Sequence, residues 1–515
     1  MSQEKKEEKK VSRRSYLKYA GAGVVVVAVA GVGGYYATLP APAPPTPSST
    51  TVPVTTAPVT TASMTPTYTL KAFDPRFQSW LEGTATELED LFSQATIDWT
   101  QAKGQTVKLI CMTDHMIDPL LDLVPIFQAH TGITVIPDRY AETELRDKTY
   151  MDLMTGTGLY DVVYTGDEMV NAFAKPHVIE DISPMLKDTS VTDTKFTDPS
   201  DVMNLDPCRY LAEYGGDNDI YMWPISAHST ILNWHKAKLA ENGLSGPPET
   251  FDQLMDYASK CKRSDKGYYG FCMRGKRGQG TNMYLWPAFL WGFGGRFFDE
   301  KYVPQLDKPE AIQATKFYAD ILINYGPPGT ADYDFSEDLT ETAQGKVAMS
   351  IDDPVLSAWL FDPTRSTTVG EWWFGTHPGG PAGWFPAEAS WDFAISTKSK
   401  AKTASWLLLQ FWASVPSLSY THMTTYHAAN RKSCLDNPGY KQEFAKYNNL
   451  ADVYAKSIAK ASPTYRPKIP EWKAVGDTMG AYLSSAIAGE ISAEAANKGM
   501  QTDVYAIMEK AGYYK

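Results

Sequence analysis

The chain has 515 residues, of which 43% are hydrophobic and 21% are charged, and its formal net charge is −12. This length exceeds what one hydrophobic core usually organises, so at least two lobes are expected. The negative charge argues against a nucleic-acid partner, because contacts to phosphates require a basic surface. The five cysteines form no C-x-x-C pair and the eight histidines show no ligand spacing, so neither a metal site nor a cofactor is predicted.

The first 18 residues have the pattern of an export signal. Residues 12–18 read SRRSYLK, which resembles a twin-arginine translocation signal facing the cytoplasm. Residues 19–39 carry no charge, and a helix of that length would span a hydrocarbon core of about 30 Å. The basic residues before it favour a cytoplasmic N-terminus. We favour retention of this segment as a transmembrane anchor at the cell surface; cleavage at the small residues 41–43 is the competing interpretation.

A linker follows the apolar segment, over residues 40–69. Of the 28 residues from Pro40 to Thr67, 20 are Pro, Ser or Thr and none is charged. Such a segment cannot bury enough apolar surface to offset its ordering entropy, so a disordered stalk is predicted. Tracts of this composition on exported proteins also carry O-linked glycans.

Residues 70–104 show helical periodicity. Phe77, Leu81, Leu88 and Phe92 recur at roughly helical spacing, which predicts a helical extension. The sequence assigns no function to it.

Strand and helix patterns then alternate. Short apolar strands are predicted over 107–112, 132–136 and 160–164, with helical patterns between them. This alternation is typical of an α/β fold with parallel strands. Ligands in such sheets bind at the carboxyl ends of the strands, where the polar residues 113–115 and 165–168 lie.

A set of short segments recurs in the order of a known family. They are 127–135, 161–163, 223–225, 243–251, 345–349, 394–400, 466–472 and 489–496. In this order they resemble the extracellular solute-binding proteins of the maltose-binding type, often called family 1. The likeness runs from about residue 105 to residue 515.

This resemblance implies a two-lobed periplasmic-binding-protein-like fold of type II, with a hinge and an interlobe cleft. By similarity, the first lobe holds residues 105–224 and 393–437, and the second holds 225–392 and 438–515. The cleft would close on a solute that contacts both lobes, and the closed form would be presented to an ABC transporter permease. The resemblance implies a receptor and not an enzyme, so no catalytic residue is predicted.

The resemblance also supplies candidate ligand contacts. A sugar pocket combines polar groups for the hydroxyls with aromatic rings for the C–H faces. Relatives commonly hold Gly and an aromatic residue where Asp352 and Asp353 stand, so carboxylate hydrogen bonding is expected there instead of stacking. For all of these residues, a solvated surface or an ordinary core position is the competing interpretation. The predicted contacts are Asp114, His115, Asp167, Glu168, His228, Asp352 and Asp353, with Trp291, Trp384, Trp391 and Trp472 as stacking platforms.

Several alternatives stay open at this point. A sugar or oligosaccharide is the preferred solute, with a peptide, a polyol or another polar molecule as the alternative. A surface glycosidase acting through two carboxylates is the rival enzyme, although no nucleophile motif is present. A structural or adhesion protein would show internal repeats, and we find none. Cys261 and Cys272 could form a disulfide or could be two buried thiols.

Overall fold

The computed structural model describes residues 68–113, 116–425 and 429–514. The predicted export signal, the apolar segment 19–39, the linker up to residue 67, and Asp114 and His115 lie outside the described residues. Within the described ranges, no helix is both long enough and apolar enough to cross a membrane.

The strands form two sheets in the described part of the chain. The first sheet has five strands in the order β2-β1-β3-β8-β4, and the second has three in the order β6-β5-β7. The strands are β1 Thr106–Met112, β2 Thr134–Tyr140, β3 Val162–Gly166, β4 Trp223–Pro224, β5 Ile231–His235, β6 Met349–Asp352, β7 Trp372–Thr376 and β8 Trp391–Ile395.

Helices cover both sheets. In chain order they are α1 Gln78–Ser93, α2 Ile117–Asp122, α3 Val124–Thr131, α4 Glu142–Thr155, α5 Val170–Ala174, α6 Ser183–Lys187, α7 Lys236–Glu241, α8 Phe251–Lys260, α9 Asn282–Gly292, α10 Pro309–Tyr325, α11 Phe335–Ala343, α12 Pro354–Trp359, α13 Lys402–Ala413, α14 Val415–Thr425, α15 Lys432–Leu435, α16 Pro438–Phe444, α17 Leu450–Lys460, α18 Trp472–Ile487 and α19 Ala493–Lys510.

The first sheet confirms the predicted parallel core. β1 pairs in parallel with β2 and β3, whereas β8 returns antiparallel to both β3 and β4. Every residue of β3 is buried, as expected for a strand covered on both faces. Gly132 and Gly156 adopt left-handed conformations and end α3 and α4, a role that suits glycine. The second sheet is antiparallel throughout.

Two connections between consecutive strands cross from one sheet to the other, and they run side by side. The first leads from β4 to β5 and the second from β7 to β8. The backbone N–H of His228 donates to the carbonyl of Ala389 at 2.8 Å, and that of Ala387 donates to the Thr230 hydroxyl at 3.0 Å. The α/β architecture with two sheets is therefore confirmed. The lobe boundaries stay a prediction.

The helical extension packs on the half of the molecule that contains the first sheet. Leu81 and Leu88 of α1 are fully buried, and α1 lies against α14. The Asp122 carboxylate accepts hydrogen bonds from the backbone N–H of Phe73 and from the Tyr420 hydroxyl, at 2.9 and 2.8 Å. Within the predicted extension, the structure has an α-helix over Gln78–Ser93. The bounds of the extension stay a prediction.

All five cysteines are buried thiols outside any disulfide. Cys261 and Cys272 therefore form no disulfide, and the alternative of buried thiols is the one found. Burial raises the pKa of the Cys261 thiol to about 11, which keeps it protonated and unreactive at neutral pH.

Candidate functional site

A cavity lies between the two sheets, next to the paired crossings. About 580 Å³ there is free of protein atoms, a volume that includes space open to solvent. Met112 at the end of β1 lines it from the first sheet, and Phe335 on α11 lines it from the second. Its polar and aromatic lining comes from both sides and from the crossings: Glu142, Arg146, Glu168, His228, Arg274, Tyr284, Asp353, Trp391 and Arg466.

Glu168 lies at the centre of one ion cluster. Its Oε1 is 2.5 Å from Nη1 of Arg146, and its Oε2 is 3.2 Å from Nη2 of Arg466. Arg146 also donates from Nε to Oε1 of Glu142 at 3.0 Å. Glu168 follows β3 and Arg146 lies on α4, whereas Arg466 comes from the loop before α18. The cluster therefore joins segments that are more than 300 positions apart in the chain.

The charges of this cluster keep Glu168 ionised. Burial alone would raise its pKa, but Arg466 and Arg146 outweigh burial and lower the pKa to about 2. A carboxylate that stays ionised presents hydrogen-bond acceptors and no donor.

Asp167 lies directly behind this cluster. Its Oδ2 accepts a short hydrogen bond from Nζ of Lys468, and its Oδ1 accepts the backbone N–H of Ser390 at 3.0 Å. Arg466 lies 3.6 Å from the same Oδ1. Asp167 does not line the cavity, and it fixes the position of the two basic groups that approach it.

Arg274 and Asp352 form a second buried pair. Arg274 donates from Nε and Nη2 to the two carboxylate oxygens of Asp352, at 2.8 and 2.5 Å. This two-pronged geometry is the strongest that a guanidinium and a carboxylate form. Asp352 lies behind the cavity, and its pairing holds the Arg274 guanidinium in the lining.

A hydrogen-bonded chain runs through the first crossing. Nδ1 of His228 is 2.7 Å from Oδ2 of Asp353, which also accepts the Tyr284 hydroxyl at 3.2 Å. Nε2 of His228 is 2.7 Å from Oγ of Ser226. His228 and Asp353 line the cavity, and each side chain is held from more than one direction.

The aromatic rings of the lining already contact protein groups with their faces. Trp391 stacks on Tyr164 with ring centres 4.7 Å apart, and the Arg146 guanidinium carbon lies 4.6 Å from its ring centre. Arg274 lies 5.0 Å from the ring centre of Tyr284 and 5.1 Å from that of Phe335. These are cation–π distances.

Glu388, in the second crossing, is an unusually weak acid. Burial raises its pKa to about 8, and the negative charge of Asp167 adds to the increase. The nearby Lys468 and Arg466 oppose the increase without cancelling it. Glu388 therefore holds a proton at neutral pH.

The predicted contact residues fall into four groups. Glu168, His228, Asp353 and Trp391 line the cavity, and Asp167 and Asp352 lie behind it, paired to lining residues. Three of the predicted tryptophans, Trp291, Trp384 and Trp472, do not line the cavity. Trp472 is fully buried and donates to Gln279, whereas Trp291 donates to the Tyr465 carbonyl. Trp384 is half-buried. Asp114 and His115 are not described. Solute contact at all of these residues stays a prediction.

The sequence pattern missed the basic residues of the lining. Arg146 follows Glu142 by four positions on a helix, which is the spacing of an ordinary surface ion pair. Arg274 directly follows the buried apolar residues 271–273. A charged residue at the end of an apolar run is a signal that could have identified it. Arg466 belongs to a segment already matched to the family, but only by its order in the chain.

No group of three or more metal-ligating side chains occurs among the residues with described positions. Residues 332–336 have the Asp-x-Asp-x-Ser spacing with which a calcium loop begins, but Asp334 has another role. Asp334 caps the N-terminus of α11, with Glu337 completing a capping box, and it pairs with Lys276.

Comparison with known proteins places this chain in a family. Residues 112–417 match the family model described as bacterial extracellular solute-binding protein. The mannitol-binding protein of Pseudomonas aeruginosa is 27% identical over 430 residues, which cover 80% of this chain and 95% of that protein.

Two further similarities agree with this match. The erythritol/L-threitol-binding protein of Mycolicibacterium smegmatis is 23% identical over 72% of this chain and 80% of its own length. The crystal structure of a solute-binding protein from Agrobacterium vitis with bound D-mannitol superposes with a TM-score of 0.70 and 27% identity, covering 80% of this chain and all of that one.

Proposed function

This chain belongs to the bacterial extracellular solute-binding proteins, and on that basis we propose that it is a receptor for a small polyhydroxylated solute. The solute, a sugar or a polyol, binds in the cavity between the two sheets. The observation that carries the proposal is the lining itself: ionised and paired side chains from both halves point into one cavity. Closure around a solute gives contacts that the separated halves cannot provide.

The paired charges suit hydroxyl groups. A hydroxyl is both a donor and an acceptor, so it can bond a carboxylate and a guanidinium at once. Glu142, Glu168 and Asp353 supply acceptors, and Arg146, Arg274 and Arg466 supply donors. Because each group is held by a partner within the protein, little side-chain entropy is lost when a solute binds.

An open-chain polyol fits this lining better than a pyranose ring. Sugar rings stack their C–H faces on free aromatic faces, but Trp391, Tyr284 and Phe335 already have guanidinium groups over theirs. A polyol needs no such platform. The similarity to proteins named for binding mannitol and erythritol supports the same choice.

Hydrolysis is the competing function, because Ser226, His228 and Asp353 have the hydrogen-bond order of a hydrolase triad. Ser226 has no exposed surface and does not line the cavity, so a solute cannot reach its Oγ. We assign this hydrogen-bonded chain a positioning role: it holds the side chains of His228 and Asp353 in the cavity lining.

The receptor works outside the cytoplasm in this proposal. The twin-arginine pattern at residues 12–18 exports the chain, the apolar segment 19–39 anchors it, and the linker 40–69 tethers the receptor near an ABC transporter permease. This part of the proposal rests on the sequence alone. Cell fractionation tests it: the protein should be found outside the cytoplasm, and Arg13→Lys/Arg14→Lys should leave it in the cytoplasm.

Thermal unfolding of the full chain with a panel of solutes tests the solute class. A solute at about 100 times its dissociation constant stabilises the folded state by about 2.7 kcal/mol, which raises the melting temperature. We expect D-mannitol or erythritol to raise it more than maltose does. A rise with maltose alone would assign a cyclic sugar instead, and no rise with any of the three would count against the proposal.

A further inference from the structure

The helical extension reaches beyond the half of the molecule on which it packs. Arg76, just before α1, places Nη2 2.8 Å from Oδ2 of Asp362, which follows α12 in the half that contains the second sheet. The same guanidinium is held by Asp74, whose Oδ2 is 2.9 Å from Nε. One arginine of the extension thus contacts a carboxylate of the opposite half.

The extension is firmly attached on its own side. Besides the contact of α1 with α14, the Tyr68 hydroxyl donates to Oε1 of Glu89 at 2.6 Å, which fastens the start of the extension to α1. Its later part is fixed by Asp193, whose Oδ2 accepts the backbone N–H of Thr96 at 2.8 Å. Arg76 therefore cannot follow the second half if the two halves move apart.

Asp362 is equally fixed on the other side. It accepts the backbone N–H and the hydroxyl of Thr364 at 2.8 and 2.7 Å. The neighbouring Phe361 packs against Phe374 of β7 and against Tyr447, with ring centres 6.1 and 4.9 Å apart. A change in the distance between the halves would therefore break the contact between Arg76 and Asp362.

This contact is connected to the cavity through a chain of packed side chains. Arg365 is 3.7 Å from Asp362 and lies over the ring of Trp359, with its guanidinium carbon 3.6 Å from the ring centre. Trp359 in turn meets Phe335 edge to face at 6.5 Å, and Phe335 lines the cavity.

We propose that the extension is a clasp: the Arg76–Asp362 ion pair holds the two halves together and slows solute entry and release. The clasp precedes residues 112–417, so it is an addition to the part of the chain that matches the family. The inference rests on the proposed function in one respect, namely that the halves separate to admit a solute. Because the pair is partly exposed, with 43% of the Arg76 side chain accessible, its effect is modest and depends on salt.

Charge reversal in the full chain tests the clasp without any solute. At about 0.01 M salt, Arg76→Asp should give a larger radius of gyration than the wild type by small-angle X-ray scattering, because the introduced carboxylate then faces Asp362 with Asp74 beside it. The double variant Arg76→Asp/Asp362→Arg should return the radius towards the wild-type value, and about 1 M salt should remove the differences. The first 67 residues are the same in all variants and contribute equally.

Lys260→Asp is the matched control. It reverses one charge of the exposed Lys260–Asp256 pair within α8, which joins no separate parts of the molecule, so it should leave the radius unchanged. With D-mannitol as the probe, Arg76→Asp should also speed release by up to about fivefold. An unchanged radius for Arg76→Asp at low salt would overturn the clasp, and that result does not depend on whether D-mannitol binds.

Discussion

The guanidinium of Arg146 occupies the space where residue 280 would carry a side chain. Its Cζ lies 2.5 Å from an ideal Cβ built on Gly280, a separation that real Cβ atoms do not show. Arg146 belongs to α4 beside the first sheet, whereas Gly280 precedes α9 on the other side of the cavity. The Gly280 carbonyl also accepts Nη1 of Arg274 at 3.3 Å. The two halves are therefore in close contact at a glycine.

We predict that Gly280→Ala lowers solute affinity by about tenfold or more. The added methyl group displaces Arg146 or holds the halves apart, and overpacking of this kind costs about 1–3 kcal/mol. Gly83→Ala on α1 is the control, because nothing lies within 4 Å of its Cβ position. Calorimetric titration with D-mannitol compares the two variants. Equal affinity in both would show that the close approach at Gly280 is not needed for binding.

Acid should weaken the fold through Glu168. Its pKa falls from 4.5 in the unfolded chain to about 2 in the folded protein, so its stabilisation is complete above pH 4.5 and is lost as the pH falls towards 2. The difference corresponds to about 3 kcal/mol. Denaturant unfolding of Glu168→Gln should show a smaller loss between these pH values than the wild type. Equal losses in both proteins would contradict this assignment.

Glu388 should act in the opposite direction at higher pH. Its pKa is raised to about 8, so the folded protein binds a proton more tightly than the unfolded chain, and stability is lost as the pH rises from 4.5 through 8. Glu388→Gln removes that loss. Melting temperatures at pH 5 and pH 9 should therefore show a larger gain from the substitution at pH 9. A gain that does not change with pH would sink the prediction.

The five thiols can be counted directly. We predict that a thiol reagent modifies all five cysteines in denaturant and almost none in the native protein, because every one is buried. A count of three in denaturant without reductant would indicate a disulfide, contrary to the structure.

Much of the architecture could be predicted from the sequence. Alternating apolar runs are local signals, so β1, β3 and α4 lie close to their predicted places. The sequence predicts the second strand at 132–136, whereas in the structure it extends over Thr134–Tyr140. The prediction stops short because the later residues of the strand are only partly buried and lack an apolar pattern.

The candidate site was less predictable. Residues at strand ends, such as Glu168 and Asp353, could be named from local pattern and family resemblance. The partners that hold them could not, because Arg466 approaches Glu168 only through the path of the whole chain. Trp472 shows the converse: its large ring suggested stacking on a solute, but it packs in the core.

Calorimetric titration of the wild type, Glu142→Gln and Glu144→Gln with D-mannitol tests the central claim most directly. Both residues lie on α4, but Glu142 lines the cavity and Glu144 is exposed beside Lys148. We predict one solute per chain, with affinity reduced about tenfold or more in Glu142→Gln and unchanged in Glu144→Gln, since a hydrogen bond to a charged group contributes about 1.5–3 kcal/mol. Equal affinity in all three proteins, or no heat of binding in the wild type with D-mannitol, erythritol or maltose, would contradict a solute site between the two sheets.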